Sequence, residues 1–437
     1  MKPLDRTALI EGYQNYGKPR QNWRVGAEFE RLALRSDGRQ VSYSEEGGIR
    51  HLLERLRSDF HWEPVHEGSN LIGLKRNKSN MTLEPGGQVE LATAPYRSLQ
   101  ELAQEVLQGQ GELEAAAGGQ DILWVASGVS PFTDPDELEW VPKGRYRIMR
   151  NYLPERGRLA PVMMKSTSSF QAAFDYADEQ DCTAKTRALL LLSPLTTALF
   201  ANSPIRLGQD THQASSRAMA WMETDPERTG FPPSILEQYS HERWVDYLLD
   251  TPMMFIRGDH GWEPAQGIPF REYMHRGHRG RLPDWDDWEL HQTAVFPEVR
   301  VKHFIELRGA DACPLPVALA GIAMWTGALY DPTALDQALE LSESFAQIGT
   351  AQERHRVAAV HGLEGSLRDQ SFRRWAEALF HIGSAGLQRY QPESTPLLLP
   401  LQRILESHSS PAQAHRQAFH DAPSVLHYLK AIAYSSA

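Results

Sequence analysis

Apolar and polar positions alternate along a few stretches of this chain and recur at helical spacing along most of the rest. Residues 22–34 (NWRVGAEFERLAL) alternate, which predicts a strand. Residues 79–94 predict two short strands around a Pro-Gly-Gly turn. Residues 163–176 alternate again, and residues 298–308 (EVRVKHFIELR) predict a further strand. Residues 6–17 predict a short helix. Across 47–58, Ile49, Leu52, Leu53 and Leu56 fall on one helical face. Residues 97–118 predict an amphipathic helix ended by Gly118-Gly119, and 179–201 a helix with an apolar body. From residue 315 onward the spacing is helical over 315–330, 334–347, 367–389, 398–407 and 410–433. Strands lie far apart in sequence, with helices between and after them. That pattern predicts an α+β fold, a mainly antiparallel sheet covered by helices. The expected organisation is one domain over 1–437, with 315–437 a mostly helical part packed on it.

Composition narrows the function classes. The chain has 437 residues, 45 Lys plus Arg against 56 Asp plus Glu, and a formal charge of -11. This acidic balance speaks against nucleic acid and anionic membranes as partners. Cys182 and Cys313 are too few for a disulfide framework. The apolar run near 188–201 is interrupted by Ser193-Pro194 and is too short to span a bilayer. With no apolar leader visible in MKPLDRTALIEGYQ, a cytoplasmic location is expected.

The chemistry-bearing residues sit on the alternating segments. In GAEFE, Glu28 and Glu30 project from one strand face about 7 Å apart. Paired carboxylates repel unless a cation lies between them, and magnesium favours carboxylate and phosphate oxygens. In TLEPGGQVEL, Glu84 and Glu90 flank a turn, and Gln88 shares a face with Glu90. In PEVRVKHFIELRGAD, Arg300 and Lys302 precede Glu306 and Arg308 at the same two-residue spacing. Lys75, Arg76 and Lys78 form a short basic cluster. Carboxylates on three alternating segments with cations beside them suit metal-assisted phosphoryl transfer. The chain carries no GxxxxGK[ST] loop, GxGxxG fingerprint, HExxH, paired CxxC or GxSxG elbow.

Together these segments resemble the glutamate–cysteine ligase family of plant and proteobacterial type. The resemblance runs through GAEFERL (26–32), IGLKRNKSNMTLEPGGQVEL (72–91), RYRIMRNYLP (145–154), ALFANSPI (198–205), TDPERTG (224–230) and VDYLLDTPM (245–253). It is densest in DWELHQTAVFPEVRVKHFIELRGAD (287–311). It implies a glutamine synthetase-like funnel of antiparallel strands with helices outside. It also implies ATP-dependent ligation of the glutamate γ-carboxylate to the amine of cysteine through a γ-glutamyl phosphate. ATP and magnesium or manganese are the implied cofactors, glutamate and cysteine or a related amine the small-molecule substrates, and a monomer or homodimer the assembly.

The resemblance assigns roles by position. Glu28, Glu30, Glu84, Glu90 and Glu306 are the implied metal carboxylates, and Glu28, Glu30 and Arg308 the catalytic set. Lys75, Arg300, Arg308 and Gln171 would face ATP. Arg145, Arg150, Arg217, Trp221 and Met254 would face substrate, since planar guanidinium forks suit carboxylates. Two positions depart from the family pattern: Ala173 stands where an asparagine is usual, and Met254 where a tyrosine is usual. Losing such polar contacts can change a substrate, so a ligase for a different amine is the implied alternative. A nucleotide-binding protein without catalysis is the alternative of another class.

Overall fold

The computed structural model describes residues 4–258 and 261–434. Its centre is a nine-stranded sheet. The strands are β1 Val25–Leu34, β2 Glu63–Glu67, β3 Asn70–Arg76, β4 Ser79–Leu83, β5 Val89–Ala92, β6 Leu123–Val125, β7 Ser169–Phe174, β8 Val299–Val301 and β9 Ile305–Asp311. The order is β8-β9-β7-β1-β5-β4-β3-β2, with β6 pairing the far end of β1. Every pairing in this sheet is antiparallel.

β1 shows why the sheet has two unlike faces. Val25, Ala27 and Phe29 are buried, while Gly26, Glu28 and Glu30 between them are half-buried. The period of two sends the apolar set toward the helices and the carboxylates to the opposite face. Register then lines up polar residues across strands. Glu28 lies opposite Gln171 on β7 and Ala92 on β5, and Glu30 opposite Glu90, which faces Thr82 on β4.

The apolar face is covered by helices. Helix Ile49–Phe60 buries Ile49, Leu52, Leu53 and Leu56. Helix Glu179–Phe200 is buried along most of its length and starts at an Asp178 cap that accepts from Asp181 N–H. Helices Leu315–Tyr330 and Phe372–Tyr390 share one continuous apolar core with the sheet.

Several predicted elements are corrected. The strand expected over 298–308 is a hairpin of β8 and β9: Lys302 N–H donates to Phe304 C=O and reverses the chain, placing Arg300 opposite Glu306. The alternation over 163–176 covers the helix Ala160–Ser166, which opens with a proline in its first turn, and only then β7. The β2–β3 hairpin, turned at Gly68 with φ +60°, and the helix Ala351–His361, with its Thr350–Glu353 capping box, lie outside the predicted set. The helix expected over 367–389 begins at Phe372, because Ser366–Ser371 forms a small hairpin with Arg368 and Asp369 at positive φ.

Candidate functional site

Two cavities lie along the polar face of the sheet and meet at β1. The first, about 290 Å³, is lined by Glu28, Glu30, Glu84, Glu90, Arg145, Gln171, Trp221, Met254, Arg300 and Arg308. Ten of the sequence-predicted residues therefore share one chamber, drawn from strands, turns and helices far apart in sequence. The second, about 380 Å³, is lined by Lys18, Arg24, Lys78, Asn80, Asp175, His303 and Glu306 among others. Glu28 and Gln171 line both, so the two chambers meet at these side chains. A larger open groove of about 490 Å³, walled by Pro226, Pro232, Pro233 and Pro252, holds none of the predicted site residues.

The carboxylates crowd one another. Burial raises the Glu28 pKa, and Glu306 adds to it. Burial and then Glu84 push Glu30 up to about 7. Burial, with Glu28, Glu84 and Glu30 behind it, holds Glu90 well above the ordinary range; Thr82 Oγ1 donates to it at 3.0 Å. Burial leads in all three, and the neighbouring carboxylates add to it. The Glu84 turn is pinned from below. Lys143 Nζ and Tyr146 Oη both donate to Leu83 C=O, at 2.7 and 2.6 Å. Gln88 donates to Thr167 C=O at 2.8 Å and accepts from Gly86 N–H at 2.9 Å. Gly86 packs so tightly that a Cβ there would lie 2.1 Å from Lys165 C=O.

The opposite wall is cationic. Arg300 donates from Nε to Glu306, Lys302 Nζ lies 2.8 Å from the same carboxylate, and Arg308 lies 3.7 Å away. Burial opposes the Glu306 charge, but Arg300, Lys302 and Arg308 outweigh it and hold the carboxyl far below its usual range. Arg308 donates to Gln171 Oε1 at 2.6 Å, and burial beside Arg300 lowers its guanidinium to about 10. Arg145 keeps its charge against burial because Tyr146 and Glu84 lie close, and its Nε is buried without a partner among the described residues.

Three predicted placements are corrected. Glu306 is a counter-ion held by three cations rather than a carboxylate open to a metal, because the hairpin turns it onto Arg300. Lys75 is exposed and pairs with Glu63 at 3.3 Å; the register Lys75–Asn80–Ala92–Glu28 keeps it on the site's face, but it lies farther out along the sheet and lines neither chamber, and Lys78 is the member of that basic cluster that lines the second cavity. Arg150 is exposed on helix Gly144–Tyr152 and lines neither chamber. Ala173 lines the second chamber, whereas Met254 lines the first, so the two departures do not act on one pocket. Arg217 borders the first chamber from a small recess shared with Trp221.

Sequence reasoning missed Lys18, Arg24, Asn80 and His303 in the second chamber. It also missed Met149, Met163 and Met164, which with Met254 give the first chamber a thioether lining. Asn80, His303 and Met149 lie in segments already singled out, whereas Lys18, Arg24, Met163 and Met164 carried no motif.

The sequence profile of glutamate–cysteine ligase family 2 matches residues 24–428. The chain belongs to that family. Its relatives include the chloroplastic glutamate–cysteine ligase B of Oryza sativa subsp. japonica, 35% identical over 417 residues, 94% of this chain and 83% of that protein. The chloroplastic glutamate–cysteine ligase of Brassica juncea is 35% identical over 418 residues, 94% of this chain and 80% of that one. Among solved structures, the glutamate–cysteine ligase of Francisella tularensis, in complex with AMP, aligns with a TM-score of 0.60 at 14% identity, covering 94% of this chain and 87% of that one. A bifunctional glutathione synthetase from Pasteurella multocida aligns at 0.57 and 12% identity, covering 98% of this chain and 54% of that one. The fold is thus that of ligase-family members. The cytoplasmic expectation is corrected here: the plant relatives are chloroplastic proteins by name.

Proposed function

We propose that this chain is an ATP-dependent glutamate–cysteine ligase, which joins the glutamate γ-carboxylate to the cysteine amine through γ-glutamyl phosphate and releases ADP and phosphate. The observation that carries this reading is the meeting of two chambers at Glu28 and Gln171, the first lined by four carboxylates together with the buried Arg300 and Arg308 and the second by Lys18, Arg24 and Lys78. A phosphoryl group passing between nucleotide and carboxylate must cross such a waist.

The donor set fits a hard divalent cation. Glu28, Glu30, Glu84 and Glu90 offer only oxygen, and their crowding calls for positive charge. Among the described residues no three carboxylate, His or Cys groups form a ready-made metal cage. Magnesium is commonly held by one or two carboxylates together with substrate phosphates, so the set is of the kind it uses. Bound there, magnesium or manganese would neutralise phosphate charge. In this proposal Glu28, Glu30, Glu84 and Glu90 hold the metal. Arg300 and Arg308, with Gln171 orienting Arg308, stabilise the transferring phosphoryl oxygens. Lys78 and Lys18 guide the nucleotide in the second chamber, and Arg145 and Arg217 grip amino-acid carboxylates. The amine acceptor then displaces phosphate inside the first chamber.

The test is phosphate release from ATP and magnesium with glutamate and a panel of amines. Cysteine-dependent release, with γ-glutamylcysteine identified by mass, is the expected result. Release with another amine and none with cysteine would move the reading to a sister ligase, the substitution at Met254 being its motive.

A further inference from the structure

Residues 296, 298 and 300 alternate along an extended segment, and Phe296 and Arg300 both line the first chamber. Glu298, at the bend between the two short strands of this segment, turns instead to a neighbouring recess. Its carboxylate borders a recess of about 10 Å³ that is also lined by Arg217, Trp221, Phe296, Arg308 and His355. Trp221, Phe296 and Arg308 line the chamber as well, so recess and chamber share a wall.

The recess is polar and incompletely matched. Among the described residues, Glu298 Oε2 is buried with no hydrogen-bond partner. The nearest basic group is His355, whose Nε2 lies 3.7 Å from Oε1. Burial lowers the His355 pKa against the pull of Glu298, so the imidazole brings no charge near neutrality. A buried carboxylate oxygen left without a hydrogen bond is disfavoured. Yet the fold preserves room for it: at Gly309 a Cβ would lie 2.6 Å from Glu298 Oε2. Across the recess, Arg217 Nε and Trp221 Nε1 are buried donors, also without partners. Arg217 is held in place by Arg308 C=O at 2.9 Å and faces Asp311 at 3.9 Å. A carboxylate oxygen and two N–H donors unpaired among the described residues, Arg217 Nε and Trp221 Nε1, therefore line one recess next to the substrate chamber. An α-amino acid carries the complementary pair on one carbon. Its ammonium head is close to a water in size, and about one such group fills a space of 10 Å³.

We propose that Glu298 binds the α-ammonium of the donor amino acid while Arg217 binds its α-carboxylate. This clamp leaves the distal carboxylate in the chamber of Glu28, Glu30 and Arg308. The inference rests on the ligase reading above and adds a specificity-determining residue to it.

The test compares glutamate with glutarate, which lacks only the ammonium. KM for glutamate and the competitive inhibition constant of glutarate are measured for wild type and Glu298→Gln. In the variant the KM for glutamate is expected to rise about 10- to 100-fold, the worth of a lost charge-assisted hydrogen bond, while glutarate inhibition is unchanged. Equal weakening of both ligands would overturn the clamp, since a merely structural role does not distinguish them. If the variant does not fold, the wild-type comparison still decides: glutarate that binds as tightly as glutamate overturns the proposal. Wild type that releases no phosphate with any amino-acid donor would overturn the ligase reading, and the clamp with it.

Discussion

Glu30→Gln separates the cost of the carboxylate cluster from its use. In wild type, burial and Glu84 push the Glu30 pKa up to about 7 from an ordinary 4.5. A carboxyl raised in the folded state contributes stability that is fully present below 4.5 and lost as pH rises through about 7. The shift corresponds to about 3 kcal/mol, reduced to about 2 kcal/mol because the side chain touches the water of the chamber. At pH 8 the charged form bears that full cost. The amide carries no charge, fits the same volume, and can keep a hydrogen bond to Ser169. The metal-free variant should therefore melt above wild type at pH 8, and the difference should vanish near pH 4.5. With magnesium and ATP added the order should reverse, because wild type gains a cation among its carboxylates and the variant gains less. Turnover should fall by about 10²- to 10³-fold. The assay is a pair of melting curves, with chelator and with magnesium–ATP, beside steady-state phosphate release. A metal-free variant that melts at or below wild type at pH 8 would refute the repulsion argument. Near-normal turnover in the folded variant would refute the metal role.

Lys75→Ala should leave turnover and KM for ATP unchanged, because that side chain only meets Glu63 at the surface, whereas Lys78→Ala should raise the KM for ATP; steady-state kinetics of the two variants separate them. Gly86→Ala should cost more than about 3 kcal/mol and depress turnover, since a Cβ 2.1 Å from Lys165 C=O must push the Glu84 turn out of place; chemical denaturation and kinetics read both effects. Burial holds His415 down to about 4, so its contribution to stability is present above 6.5 and lost as pH falls toward 4. Between pH 7 and 5 that loss is about 2 kcal/mol, and His415→Gln should flatten the stability–pH profile by this amount. Both thiols are buried, and burial pushes Cys182 up to about 12, so a thiol reagent should label neither cysteine before unfolding.

The fold was legible where one face of an element is apolar and the other is not. β1 and the helix Ile49–Phe60 announce themselves because the core takes every second or every third-to-fourth side chain. The β8–β9 hairpin was not legible. Arg300, Lys302, Glu306 and Arg308 alternate as they would in one long strand, and only the bond from Lys302 N–H to Phe304 C=O reveals the reversal. Helix Ala160–Ser166 was hidden for another reason. It is buried on nearly every side, so its sequence lacks the polar stripe that marks a surface helix.

The site was legible as residue types and illegible as distances. Glu28, Glu30, Glu84 and Glu90 do line one chamber, because strand parity alone sends the β1 and β5 carboxylates to the same face. Glu306 obeys the same parity and yet plays another part: the turn before it places three cations within 4.0 Å, a pairing that no spacing along the chain encodes. Glu298 shows the converse. Its sequence position, one strand step from Arg300, carries no motif that distinguishes it from a surface acid. What distinguishes it is the space left by Gly309, the His355 imidazole, and the Arg217 Nε and Trp221 Nε1 donors that have no partner among the described residues, contributed by three further segments. The carboxylates that would handle metal are thus written in local alternation, whereas the carboxylate that would choose the substrate is defined only by what the folded chain brings around it.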